Sequence, residues 1–159
     1  MATSNHISKT LYVADELPAT NDAAGFEALT WTKVNGLQQG PQLGITHAGI
    51  DVPDLESGFT RSLKGAAQGV SSQMQFRDVA DDTGQEMLET QANDGQGLLS
   101  VKLVKGTGAD NAPQAGDKVQ YAQGKVESYQ PIQPNVTNHE GFEVTFQQND
   151  FTVKDEEPA

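Results

Sequence analysis

The chain contains no cysteine among its 159 residues. Disulfide bonds, zinc sites built on thiolates and cysteine nucleophiles are therefore excluded. Aromatic residues make up only 6% of the chain, and no apolar run is long enough to cross a bilayer. The N-terminal segment has no basic stretch followed by an apolar one. We therefore expect a soluble protein that is made in a cytoplasm.

Positive charge is also scarce, because ten Lys and Arg stand against 22 Asp and Glu, for a formal net charge of −12. Tight DNA binding depends on neutralising phosphates with cations, so this composition argues against a DNA-reading surface. Glycine (16 residues) and proline (7 residues) punctuate the chain, which is typical of a β-rich protein with many turns. The length predicts one domain, residues 1–159, with a core of its own.

Apolar residues alternate along several segments, which predicts strands at residues 7–13, 29–34, 43–52, 70–77, 98–104, 118–129 and 141–153. One helix is predicted, with Asp81 or Asp82 as N-cap and Gln85 or Glu86 at the capping-box spacing. Between residues 118 and 129 the apolar parity changes across Gly124, which predicts a bulge there. These elements predict a mainly β protein, an antiparallel sandwich or barrel with one flanking helix.

Residues 51–69 form a stretch without a two-residue or a 3.6-residue apolar period, between two predicted strands. Unstructured connections of this length in a compact domain are usually functional or disordered. Leu55, Phe59 and Leu63 are too apolar for a solvated linker, and the glycines let the backbone bend to suit a partner. We therefore expect a long inter-strand loop that another chain orders.

No pattern in the sequence indicates catalysis or metal binding. The three histidines, His6, His47 and His139, are scattered along the chain, and Ser57 lies outside a GxSxG motif. The loop carboxylates Asp51, Asp54 and Glu56 do not have the spacing of an EF-hand. The alternating polar faces are rich in Gln, Ser and Thr instead of convergent acids and bases. We expect no enzymatic activity, no metal and no cofactor.

Several sequence segments occur in a characteristic order, namely GIDV at 49–52, LESGF at 55–59, FRDVADDTGQEML at 76–88 and GxVxS at 124–128. In this order, and over roughly residues 31–153, the chain resembles the major tail tube protein of long, flexible-tailed (siphovirus-type) bacteriophages. The resemblance implies a structural virion protein of the tail that forms homohexameric rings. The rings would stack into a tube through which double-stranded DNA passes. The implied partners are other copies of the chain, the tape measure protein, and the terminator and tip proteins.

The resemblance also assigns roles to segments. Residues 51–69 would be the inter-ring assembly loop, and residues 1–11 and 150–159 would be supporting arms. The residues expected to make these contacts are Asp51, Asp54, Leu55, Glu56, Phe59, Arg61, Leu63 and Lys64 in the loop, and Ile7, Leu11, Phe151 and Val153 in the arms. The sequence ends at Ala159, so we expect none of the C-terminal immunoglobulin-like domain that some relatives append.

Two other interpretations stay open at this point. The first is another ring-forming component of the same particle, such as a tail terminator, or the related tube protein of a contractile injection machine. A monomeric β-sandwich that binds carbohydrate or peptide is the alternative from a different class. One Trp and three Tyr offer little material for the aromatic platform of such a module.

Overall fold

A computed structural model describes residues 7–158 of the chain. The elements within this range are strands β1 (Lys9–Ala14), β2 (Thr32–Val34), β3 (Leu37–Gln39), β4 (Ile45–Pro53), β5 (Thr60–Gly69), β6 (Ser71–Arg77), β7 (Leu98–Lys105), β8 (Lys118–Pro131), β9 (Gly141–Gln148) and β10 (Val153–Glu156), helices α1 (Ala23–Glu27) and α2 (Thr83–Asn93), and a 3-10 turn at Ala109–Asn111. The protein is mainly β, as the sequence predicts.

The main sheet is antiparallel and has the strand order β2-β1-β7-β8-β9-β6-β3, with β10 beside β8. Strands β2 and β3 lie at opposite ends of this order, yet only Asn35 and Gly36 separate them along the chain. Two residues span only about 7 Å, so the sheet must curl until its two ends meet. The expected sandwich or barrel is thus a sheet that is nearly closed on itself.

The link between the two ends of the sheet is fixed by Gly36 and Gln85. Gly36 has a φ of +80°, and a Cβ there would lie 2.4 Å from the carbonyl oxygen of Arg77, so only glycine fits. The Gln85 side-chain amide donates to the carbonyl oxygens of Asn35 (2.7 Å) and Arg77 (2.8 Å). Helix α2 therefore ties the end of β2 to the end of β6.

The curled sheet encloses one apolar core. Its buried members come from six strands of the sheet and from α2, and they include Leu11, Val13, Met74, Phe76, Leu88, Leu99, Val101, Phe142, Val144 and Phe146. Helix α2 is N-capped by Asp82, whose carboxylate accepts from the Gln85 amide at 3.1 Å, and it ends at Asn93. The predicted helix, with its N-cap, is confirmed.

A second apolar cluster covers the opposite face of β7 and β8, around the stacked rings of Phe26 and Tyr121 with centroids 5.1 Å apart. Val119 and Tyr121 point into this cluster, whereas Ala122 and Val126 point into the enclosed core. The parity change in β8 therefore reflects two buried faces.

The bulge predicted at Gly124 is wrong. The pairing of β8 with β7 continues without a shift from residue 119 to residue 125, and the irregularity lies between Val126 and Ser128. Other differences are smaller. A second, short helix, α1, which Asp22 caps, adds to the one predicted helix, and the last predicted strand is two strands, β9 and β10.

Replacing Gln85 with alanine tests the link between the sheet ends. The variant Gln85→Ala leaves the carbonyl oxygens of Asn35 and Arg77 and the Val79 amide without their side-chain partner. We expect the free energy of unfolding to fall by about 1–3 kcal/mol in chemical denaturation. The control Gln96→Ala removes an exposed glutamine and should stay within about 0.5 kcal/mol of the wild type. Equal stability of the two variants would contradict this role.

Candidate assembly surface

The segment expected to be an unstructured loop is a β-hairpin. Strand β4 (nine residues) pairs with β5 (ten residues) from Ile45↔Gly69 out to Pro53↔Thr60, as a separate two-stranded sheet. Only residues 54–59 connect the two strands. The expectation that residues 51–69 are structureless is wrong. The two-residue apolar period of β5 is interrupted, because Arg61 and Gly65 occupy the positions on either side of Leu63 where apolar residues would continue it.

One face of this hairpin is apolar and exposed. Ile50 pairs with Leu63, and Val52 pairs with Arg61, so these four side chains share a face. Ile50 is 52% exposed and Leu63 is 56% exposed. We call Ile50, Val52, Arg61 and Leu63 the apolar hairpin face. A two-stranded hairpin is at best marginally stable alone in water and needs its apolar face to pack against another surface. Within the subunit the apolar hairpin face is exposed and does not have this packing.

The polar face of the hairpin consists of alternate residues, with Asp51 opposite Ser62 and Gly49 opposite Lys64. The hairpin is thus amphipathic. Ile50 and Val52 belong to the predicted strand 43–52. The two-residue spacing of Ile50 and Val52 was the signal that could have identified the exposed face.

The hairpin tip is held by Asp54. Its carboxylate accepts from the Ser57 hydroxyl at 2.8 Å and from the Glu56 amide at 3.0 Å. These hydrogen bonds, the one from Ser57 above all, hold the pKa of Asp54 below its ordinary value. Leu55 is 100% exposed and Phe59 is 66% exposed. The tip therefore presents two large apolar side chains on a turn of defined shape.

The hairpin base is clamped to the end of β9. The Gln148 side chain is buried, and its oxygen accepts from the Gly44 amide at 2.9 Å. The Gln147 side chain donates to the Gly69 carbonyl oxygen at 2.8 Å, and the Gln148 backbone amide donates to Val70 at 3.2 Å. A Cβ on Gly69 would lie 1.9 Å from the Gln148 carbonyl oxygen, so glycine permits this close approach. The base is fixed while the rest of the hairpin stands free.

Parts of both expected arms, residues 9–11 and 153–156, belong to the folded sheet. Leu11 is fully buried in β1, and Val153 belongs to β10, where it pairs with Tyr121 of β8. Within the subunit, Leu11 and Val153 therefore help to complete the cores, and the role of residues 1–11 and 150–159 as supporting arms stays a prediction. Ile7 and Phe151 are exposed, and residues 1–6 and 159 of the arms lie outside the described residues.

Strand β10 is secured by an ion pair. Lys102 Nζ lies 2.9 Å from a Glu157 carboxylate oxygen, and both side chains are largely shielded from solvent. Burial, followed by the negative charge of Glu157, raises the pKa of Tyr121 to about 12. The C-terminal strand thus belongs to the subunit instead of forming a separate tail.

Across residues 7–158, no three His, Asp or Glu side chains lie close enough together to hold a metal ion. Trp31 is partly buried, and its indole donates to the Phe26 carbonyl oxygen at 2.9 Å, so it is no exposed platform. Neither described helix has the length and apolarity that a membrane span requires.

The same fold occurs in three chains of solved structures, one from the SPP1 tail tube and two from the PVC contractile injection system. A chain of the SPP1 tail tube matches with a TM-score of 0.61 at 15% identity, covering 95% of this chain and 78% of that one. A chain of the PVC sheath–tube complex, an extracellular contractile injection system, gives 0.62 at 12%, covering 94% and 88%. A chain of the PVC sheath/tube terminator gives 0.60 at 13%, covering 98% of both. The TM-scores show that the fold is shared, although few residues are identical.

Sequence comparison adds no family assignment. No protein-family model matches the chain, and no curated protein matches it.

Titration of Asp54 tests the structure of the hairpin tip. A carboxyl whose pKa is lowered by folding stabilises the folded turn at neutral pH, and that contribution is lost as the pH falls through the lowered pKa. We expect the Asp54 carboxyl to titrate below 3.8 when followed by carbon NMR, and Ser57→Ala to move the titration upward. The control Ser62→Ala, on β5, should leave it unchanged. An unshifted Asp54 in the wild type would contradict the turn.

Proposed function

We propose that this chain is the structural subunit of a tail tube of the phage or injection-machine type. In this proposal six copies form a ring, and the rings stack into a tube. The observation that carries the proposal is the exposed apolar hairpin face on a fold shared with the SPP1 tail tube chain. Large exposed apolar surfaces usually mark sites of protein association.

Ring formation is proposed to use the free edges of the sheet. Among the described strands, β2, β3 and β10 each pair on one side only. Unpaired strand edges are templates for pairing with another chain, and a closed ring removes this hazard of open-ended aggregation. Stacking is then left to the hairpin and its tip, with Leu55, Phe59 and Leu63 as the apolar contacts.

The lumen is proposed to be a passive conduit for double-stranded DNA. A subunit with a formal net charge of −12 repels a duplex that carries one negative charge per about 1.7 Å of its axis. The potential of an assembled ring, mapped from a cryo-EM structure, tests this step. We expect a negative lumen, and a neutral or positive one would contradict it. The tape measure, terminator and tip proteins complete the proposed partners in the virion tail, and no enzymatic role is proposed.

A terminator ring is the second candidate. The PVC sheath/tube terminator chain matches over 98% of both chains. Electron microscopy of the purified protein separates the two candidates, because a terminator gives isolated rings whereas a tube subunit gives long tubes with an open lumen.

The double variant Ile50→Ser with Leu63→Ser tests the role of the apolar hairpin face. Both side chains are exposed in the subunit, so we expect its free energy of unfolding to change by no more than about 0.5 kcal/mol per site. We expect tube formation, seen by negative-stain microscopy across a concentration series, to be lost. The control Ser62→Ala on the polar face should still form tubes. Tubes from the double variant, or unfolding of it, would count against the proposal.

A further inference from the structure

An acidic recess lies beside the N-terminal half of α2. Its rim carries four exposed carboxylates, Asp78, Asp81, Glu86 and Glu89, and its volume is about 120 Å³. Tyr129 lines its wall and stacks on the buried ring of Phe142, with centroids 4.8 Å apart. We call this site, lined by these carboxylates and Tyr129, the acidic recess. It combines negative charge with an aromatic surface.

The negative charge of the acidic recess is not neutralised within the subunit. Across residues 7–158, the ion pairs are Lys102–Glu157 and Lys125–Glu127, neither of which involves the recess. The pKa of Tyr129 is raised, first by burial and then by the charges of Glu89 and Asp78. The recess therefore offers an electrostatic environment that favours a cation.

The acidic recess and the hairpin lie at opposite ends of the same two strands. Strands β6 and β9 pair from Ser71↔Gln147, next to the hairpin base, to Arg77↔Gly141, next to the recess. Six residue steps along a strand span about 20 Å. One end of the subunit thus carries the hairpin, and the other carries the recess. Contacts between unlike ends of identical subunits build open, stacked assemblies.

The apolar hairpin face carries one charge, and it is positive. Arg61 is exposed, no carboxylate of the described residues pairs with it, and Ile50, Val52 and Leu63 surround it on that face. Lys64 is on the polar face beside Asp51. A guanidinium binds carboxylates through two parallel hydrogen bonds and stacks on aromatic rings, which an ammonium does less well. Arg61 therefore matches the chemistry of the acidic recess.

We propose that the acidic recess of one copy receives Arg61 and the apolar hairpin face of a second copy in the neighbouring ring. This inference rests on the proposed tube function and names the surface to which the hairpin docks. A larger groove of about 610 Å³ is a poorer match, because Lys9 and four glutamines line it alongside its leucines. Like charges placed opposite each other in an interface are unfavourable.

Charge reversal with rescue tests the inference. Arg61→Glu should raise the protein concentration needed for tube formation by at least about tenfold, because a paired interfacial charge is replaced by a repulsive one. Reversal of the recess by Glu86→Arg with Glu89→Arg should have the same effect. The triple variant that combines all three changes should regain tubes. Lys118→Glu is the matched control, with the same charge change on an exposed side chain of β8 outside the hairpin and the acidic recess, and it should assemble at nearly the wild-type concentration.

Folding and the proposed function are monitored separately. Circular dichroism and thermal melting establish that each variant is folded, and sedimentation follows assembly alongside microscopy. If the wild type forms tubes, two results would each overturn this inference alone. They are normal assembly of Arg61→Glu, and a triple variant that is folded but does not assemble. A wild type that forms neither rings nor tubes at any concentration would overturn the tube function and this inference with it.

Discussion

The structure depends on the curling of the main sheet, which brings its two end strands, β2 and β3, together at the link Asn35–Gly36. This closure encloses the main core, and Gln85 of α2 secures it by bonding to both Asn35 and Arg77. Because the enclosed core needs nothing from residues 51–64, the outer part of the hairpin contributes no packing to the subunit. The apolar side chains of the hairpin stay exposed because the core is complete without them.

The hairpin combines a rigid attachment with an unsupported body. Gln147 and Gln148 fix its base to β9, and Asp54 shapes its tip, whereas the strands between have no third strand beside them. An element of this kind is ordered enough to present a defined surface and exposed enough to gain stability from a partner. This arrangement connects the packing of the subunit to the assembly function that we propose.

Features that depend on neighbouring residues could be predicted from the sequence, whereas features that depend on distant residues could not. The N-cap Asp82 and the strands β6 and β7 belong to the first group, because capping and apolar alternation are set within a few residues. The hairpin was missed because Arg61 and Gly65 break the apolar period, and a bulge offsets its two strands between His47 and Gly49. The shift of apolar residues from odd to even positions in β8 predicted a bulge, whereas apolar residues are buried on both faces of this strand. The periodicity of one strand does not reveal that both faces of a sheet are covered.

Hydrogen exchange of the amides in β4 and β5, measured in the dispersed subunit and in the assembled state, shows whether a second copy stabilises the hairpin. We expect fast exchange beyond the hairpin base in the dispersed subunit and strong protection after assembly, while β7 and β8 are protected in both states. Slow exchange of the hairpin amides in a subunit that stays monomeric at every concentration would contradict this expectation.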